Sequence, residues 1–143
     1  MDGTLLDLHF DNYFWQVFVP QKFGQQNGLN LEESKAALYP RFHAQAGCLN
    51  WYCLDHWSED LKLDIVALKQ ELQHLICPRV DAMVFLQALA KSNKQVWMVT
   101  NAHPDALKLK LLATQIAPYF DHIISSHQFG KPKEHIEFWQ ALQ

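Results

Sequence analysis

No basic block interrupts the 143 residues, and the net charge is −3. A chain without a cationic face is not built primarily to hold nucleic acid. No run of about 18 apolar residues occurs, so no membrane span is expected. The first residues have neither a basic n-region nor an apolar h-region, so no secretory signal is visible. The cysteines are three, Cys48, Cys53 and Cys77, with no Cys-x-x-Cys spacing among them. An odd set without metal-type spacing reads as reduced thiols of a cytoplasmic protein. Internal repeats and low-complexity segments are absent, and between about residues 11 and 77 no convincing strand is found.

What is present suits one packed domain. Apolar residues make up 49 % of the chain and aromatics 13 %, enough to build a core. Residues 11–23 read as a helix, with Asp11 as cap, Phe14, Val17 and Phe18 on one face, and Pro20 bending or ending it. Gly24 to Gly28 reads as a polar connection. Asn30 followed by Glu33 is a capping-box start; that helix is expected to reach Pro40 and resume through Ala46. A short aromatic helix spans 49–60, and Asp64 caps the next, whose Ile65, Leu68 and Leu72 recur at helical spacing. Beyond Pro78 the rhythm changes. A helix over 80–91 precedes an apolar strand at 95–100. Pro104 opens a helix to about Thr114, His122–Ser126 is a second strand, and a last helix begins near Lys133. Strand–helix–strand–helix after a helical block predicts an α/β fold with parallel strands in a right-handed βαβ layout.

Three short stretches carry chemistry. Asp2-Gly3-Thr4 places a carboxylate before a tight turn that a ligand can approach closely. Val96-Trp97-Met98-Val99-Thr100-Asn101 reads as a buried strand ending in a hydroxyl and an amide. Phe129-Gly130-Lys131-Pro132-Lys133-Glu134 sets two lysines in the turn after the second strand. Acid, hydroxyl and lysine, each at a strand end, make a phosphate site in an open α/β sheet.

This order of motifs resembles the haloacid dehalogenase superfamily, whose phosphatases open with Asp-x-Asp-Gly-Thr. Within it, Asp2–Asp7 with Phe10–Trp15, Asn50-Trp51-Tyr52-Cys53-Leu54-Asp55, Thr100-Asn101-Ala102-His103-Pro104 and Phe129–Trp139 resemble the bacterial GMP/IMP nucleotidases, over essentially the whole chain. The resemblance implies a partial Rossmann-like core over 1–10 and 78–143, with an all-helical cap over 11–77 inserted after the first strand. It implies hydrolysis of a phosphate monoester, a purine 5′-nucleotide, through an aspartyl-phosphate. Asp2 would be the proton shuttle and contribute to a Mg²⁺ site. Thr100 would bond the phosphoryl oxygens and Asn101 follow with its N–H, while Gly3 and Thr4 shape the turn. Lys133 is the preferred cation because Trp139 lies six residues on, as in the family; Lys131 is the alternative.

Asn12 and Asp55 are expected to contact base or ribose. Trp15, Trp51, Tyr52 and Trp57 are candidates for stacking on a purine, or else core. His122, His127 and His135 are spaced unlike a zinc site, and His103 is expected to do no more than cap its helix. The family's nucleophile would fall immediately before Met1, and its last acidic motif after Trp139. The expectation is therefore a chain that is catalytically incomplete, with apolar surface exposed where strands would pack. Two other readings stay open: a capped phosphatase for sugar phosphate or phosphoglycolate, and a non-catalytic binding fragment. Oligomeric state is not readable.

Overall fold

A computed structural model describes all of residues 1–143. A long helical run opens the chain: α1 (His9–Tyr13), a π-helical turn (Phe14–Phe18) and α2 (Val19–Asn27) follow without a break. Pro20 therefore neither ends nor interrupts this run. The π turn just before it widens the hydrogen-bond register, with Val19 N–H donating to the Phe14 carbonyl, and so absorbs the N–H that proline lacks. Gly28, at φ 68°, closes the run.

Gly24 is not part of a connection. It is buried inside α2, where it faces α3 (Leu31–Ala44). A Cβ at Gly24 would lie 2.5 Å from Ser34 Oγ and 2.6 Å from the Leu29 carbonyl oxygen. The missing side chain is what lets the two helices close. The capping box of α3 forms as its sequence predicts: Glu33 N–H donates to Asn30 Oδ1 and Asn30 N–H to Glu33 Oε2. Pro40 sits within α3, which continues through it to Ala44.

A 3₁₀ turn (Leu49–Tyr52), α4 (Leu54–Leu61) and α5 (Ile65–Glu71) complete the helical block, with Asp64 capping α5 through Ala67 N–H. Its interior is one apolar cluster built on Phe10, Phe14, Leu38, Trp57, Leu61 and Ile65, with Ala106 touching it from outside the block. The second cluster joins Leu5, Leu6, Leu86, Met98, Leu107 and Ile116. It lies among α6 (Ala82–Ala90), β1 (Trp97–Thr100), α7 (Pro104–Thr114) and β2 (His122–Ser125). Strands β1 and β2 pair in parallel, Trp97 opposite His122 and Thr100 opposite Ser125, so both chains leave the sheet at the same end. The chain ends in α8 (Ile136–Leu142).

The opening residues form no strand against β1. Leu6 bridges Pro78, Arg79 N–H donates to the Leu5 carbonyl, and the Met1 carbonyl accepts from Thr4, Leu5 and Leu6. Asp2 is thus held at the lip of a knot of backbone bonds, with Leu5 and Leu6 buried behind it. Val80, Val84 and Phe85 are exposed along α6. No helix is long and apolar enough to cross a membrane.

Replacing Gly24 with Ala is expected to lower stability by about 2 kcal/mol, the cost of overpacking a closed helix contact, read as a fall in the urea midpoint. Adding Ser34→Ala should not restore it, because the Leu29 carbonyl still blocks the new methyl group.

Candidate active site

Three chain segments that end or begin near one edge of the sheet enclose a cavity of about 430 Å³. Asp2, Thr100 and Lys133 all line it. Thr100 is carried there by β1. It is buried, and its Oγ1 accepts from Ala102 N–H at 3.1 Å, tightening the turn into α7. Lys133 is carried by the loop after β2, and Asn101 fixes that loop. Asn101 Oδ1 accepts the Lys133 N–H at 2.8 Å, and Asn101 Nδ2 donates to both Glu134 carboxylate oxygens at 3.0 and 2.8 Å. From the far side Trp139 Nε1 donates to the Lys133 carbonyl at 2.7 Å. The six-residue interval from Lys133 to Trp139 is therefore a physical link, one helical turn reaching back to seat the lysine. Lys131 is exposed and does not line the cavity.

The remaining sequence candidates lie elsewhere. Gly3, at φ 72°, and Thr4 form the exposed turn after Asp2 and are not part of the cavity lining. Asn12 lines a neighbouring cavity of about 480 Å³, with Trp15, Gln16, Tyr39, Phe42, Trp51 and Trp57 among its walls. The two cavities share Asp11, Trp15 and Trp51. Asp55 is largely exposed, its Oδ2 3.4 Å from His103 Nε2. Tyr52 reaches over the first cavity and donates its hydroxyl to Glu134 at 2.6 Å. Burial and this bond push the Tyr52 phenol up. Burial works against the Glu134 carboxylate, but the Tyr52 and Asn101 hydrogen bonds hold it below its ordinary range.

Two site residues, Lys110 and Lys69, were not singled out from sequence, and Asp11 was read only as a helix cap. Lys110 Nζ, 3 % exposed as a residue, lies 2.7 Å from Asp2 Oδ1 and 2.6 Å from Asp11 Oδ2. Lys69, equally buried, lies 3.2 Å from Asp11 Oδ1 and 4.2 Å from the centre of the Phe14 ring. Asp2, Lys110, Asp11 and Lys69 thus alternate in sign along the cavity wall, so that Lys110 and Asp11 each have two partners of opposite charge and the end members one. Burial alone would raise the Asp11 carboxyl, but the Lys110 and Lys69 ammoniums outweigh it and hold it below its ordinary value. Burial pushes Lys69 down to about 8, partly opposed by Asp11. The signal for both lysines is their phase. Lys110 follows Ala106 and Leu107 on the buried face of α7, and Lys69 follows Ile65 on that of α5.

Two stability measurements check this wall. Lys110→Met leaves Asp2 without its cation and Asp11 with Lys69 alone, and is expected to cost about 3 kcal/mol at pH 7. Because Lys69 is depressed below its ordinary 10.5, the unfolded chain holds more protons between about pH 8 and 10.5. Its contribution to stability rises across that window. Lys69→Met should flatten the rise; a rise that persists in the variant contradicts the assignment. Asp11 acts in the same sense at lower pH, its contribution being present above the ordinary carboxylate range and lost as the pH falls through its depressed value.

The comparisons with known proteins bear on this geometry. The family description "haloacid dehalogenase-like hydrolase" matches residues 1–142. Two relatives named GMP/IMP nucleotidase YrfG, from Escherichia coli (strain K12) and Shigella flexneri, are each 46 % identical over 142 residues, covering 99 % of this chain and 64 % of theirs. The chain therefore spans just under two thirds of the length of the curated relatives it matches. The crystal structure of a HAD phosphatase from Thermococcus onnurineus superposes with a TM-score of 0.84 at 19 % identity, over 99 % of this chain and 66 % of that one. That likeness shows the fold, a partial Rossmann-like α/β core with helices packed around a parallel sheet. With its family description running from the Asp-Gly-Thr turn through α8, the chain belongs to the haloacid dehalogenase-like hydrolases.

Proposed function

We propose that this site belongs to a phosphate-monoester hydrolase acting on purine 5′-nucleotides such as GMP and IMP. The observation that supports it best is the meeting of Asp2, Thr100 and Lys133, from three separate segments, around one cavity. In this reading the Lys133 ammonium and the Thr100 hydroxyl hold the phosphoryl oxygens. Phosphoryl transfer is accelerated chiefly by such positioning and charge neutralisation. Asp2 delivers a proton to the leaving ribose oxygen and later takes one from water. Asn101 acts through Lys133, whose N–H it holds.

The nucleoside lies toward the second cavity. Trp15 and Trp51, common to both cavities, give the base a face to stack on, and Asn12 and Gln16 offer amide groups at its edge. This aromatic wall favours a purine over a bare sugar phosphate. The helical block over 11–77 then serves as the cap that carries the base site, and residues 1–10 with 78–143 as the core that carries the phosphate site.

Haloacid dehalogenase-like hydrolases generally use a divalent metal, and Mg²⁺ is the ion that an all-oxygen, water-retaining site selects. The residues of this chain do not by themselves fit such an ion at Asp2. The Asp2 carboxylate is engaged by the Lys110 ammonium at 2.7 Å, and no group of three converging ligand atoms includes it. No step is routed through a metal here. The aspartyl-phosphate route also needs a free carboxylate facing phosphorus. The cavity's carboxylates are Asp2, Asp11 and Glu134, and each is already bonded to a cation or a donor. We therefore propose that this chain binds the nucleotide and is deficient in turnover.

Calorimetric titration with GMP tests the reading. Lys133→Ala should weaken binding about tenfold or more, since a charge-assisted contact to phosphate is lost, while Lys131→Ala leaves it within about twofold. Trp51→Ala should weaken GMP by about tenfold, in line with base stacking, and ribose 5-phosphate hardly at all. Equal effects of the two lysine variants, or ribose 5-phosphate binding as tightly as GMP, contradict the assignment. Release of inorganic phosphate from GMP at many turnovers per chain contradicts the proposed deficiency.

A further inference from the structure

At the edge of the Asp2–Thr100–Lys133 cavity, whose wall includes His103, and outside the chemistry proposed for it, the fold gathers a thiol and two imidazoles from three distant segments. Cys53 stands between the Leu49–Tyr52 turn and α4, His103 caps α7, and His127 lies in the 3₁₀ turn Ser126–Phe129 that follows β2. One ligand atom from each lies within 4.8 Å of the other two. The His103 and His127 rings meet edge to face at 5.0 Å between centres. His103 is buried, while Cys53 and His127 are half-buried. His127 Nε2 is shielded from solvent and has no hydrogen-bond partner. A buried ring nitrogen without a partner is rare, and an absent ion is one of its ordinary explanations.

We infer that Cys53, His103 and His127 form a site for one borderline-soft divalent transition metal, Zn²⁺ above all. The donor set decides the class. A thiolate with two imidazoles suits zinc, and it is a poor set for Mg²⁺ or Ca²⁺, which require oxygen. Ligand atoms around a tetrahedral zinc stand about 3.5 Å apart, given Zn–S near 2.3 Å and Zn–N near 2.1 Å. The cluster needs to contract by little more than an ångström. Binding forms the Zn–S and two Zn–N bonds and displaces the Cys53 thiol proton to solvent. The His103 Nε2 lies 3.4 Å from Asp55 Oδ2 and its Nδ1 lies 3.7 Å from Asp105 Oδ2. In the metal-free state Nδ1 accepts the Asp105 N–H at 3.3 Å, so an ion on Nε2 would move the ring proton to Nδ1, toward Asp105 Oδ2, and an ion on Nδ1 would displace that cap and leave Nε2–H facing Asp55. The fourth position is left for water.

Such an ion would staple the helical block to the loops after both strands, because each ligand comes from a different one of these segments. It would act on the same closure that Tyr52 makes through Glu134 and that His135 makes through the Gly47 carbonyl at 3.1 Å. The sequence conceals the site. The three ligands are 50 and 24 positions apart along the chain, and no local spacing pattern announces them.

The test is Co²⁺ titration of the chelator-stripped chain, followed by displacement with Zn²⁺. The expected result is one Co²⁺ per chain, an intense thiolate-to-cobalt charge-transfer band, loss of that band on adding Zn²⁺, and indifference to millimolar Mg²⁺. Cys53→Ser should abolish the band, His127→Gln should weaken binding at least tenfold, and Asp55→Asn with Asp105→Asn should keep the band. Saturating Zn²⁺ should raise Tm by about 5–10 °C. Absence of the band, its survival in Cys53→Ser, or loss of binding only in the aspartate variant overturns the inference. Where a variant fails to fold, the unaltered chain still decides. Zn²⁺ should slow alkylation of Cys53 at least tenfold, read by peptide mass, and leave the exposed Cys48 and Cys77 unchanged; equal protection or none overturns it.

Discussion

The Lys110 ammonium is the interaction on which the arrangement rests. It comes from α7 and reaches two carboxylates, Asp2 and Asp11, that lie 108 and 99 positions away along the chain. One of these belongs to the turn at the mouth of the cavity that Thr100 and Lys133 line, and the other to the first helix of the aromatic block. A buried ammonium cannot be left without partners, so any packing that keeps α7 in place must also bring both carboxylates to it. Lys69 extends the row by one charge and is seated against the rings of Phe10, Phe14 and Trp15. Sign alternation along the row is what makes burial of four charges tolerable.

The second constraint is a chain of hydrogen bonds centred on Asn101 and the Glu134 carboxylate. Asn101 takes the backbone of Lys133 with its oxygen and the Glu134 carboxylate with its nitrogen, so the loops after the two strands are one unit. Glu134 passes the connection on to Tyr52 and hence to the helical block. Parallel pairing of β1 with β2 makes this possible, because both strands deliver their following loops to the same end of the sheet. The cavity lined by Asp2, Thr100 and Lys133 thus lies where loops from different segments are tied together. The aromatic cavity lies next to it because Trp15 and Trp51 form part of both walls.

Much of this was legible in the sequence, for identifiable reasons. Pro104 opening α7, the Asn30–Glu33 capping box and the Asp64 cap are local devices, and each formed where its residues stand. Thr100 and Lys133 were singled out from the order of acid, hydroxyl and lysine at strand ends and, for Lys133 over Lys131, from the Trp139 spacing of the family it resembles; both line the same cavity. The failures are of another kind. Pro20 and Gly24 are helix breakers by propensity, yet a π turn absorbs the first and a tight crossing with α3 requires the second; tertiary context outweighs propensity in both. Asp11 was read as a cap because nothing in its neighbourhood announces two lysines from α5 and α7. Asn12 and Asp55, expected at the base or ribose, are a separate case: the fold puts Asn12 in the aromatic cavity and Asp55 at the rim beside His103. Cys53, His103 and His127 lie too far apart in sequence to suggest a group.

A crystal structure of this chain grown with inorganic phosphate tests the central claim most directly. The account predicts one phosphate ion within hydrogen-bond distance of Thr100 and the Lys133 ammonium, on the side of the cavity that Asp2 faces, with Lys131 making no contact. Phosphate seated elsewhere, or held by Lys131 in place of Lys133, would contradict it.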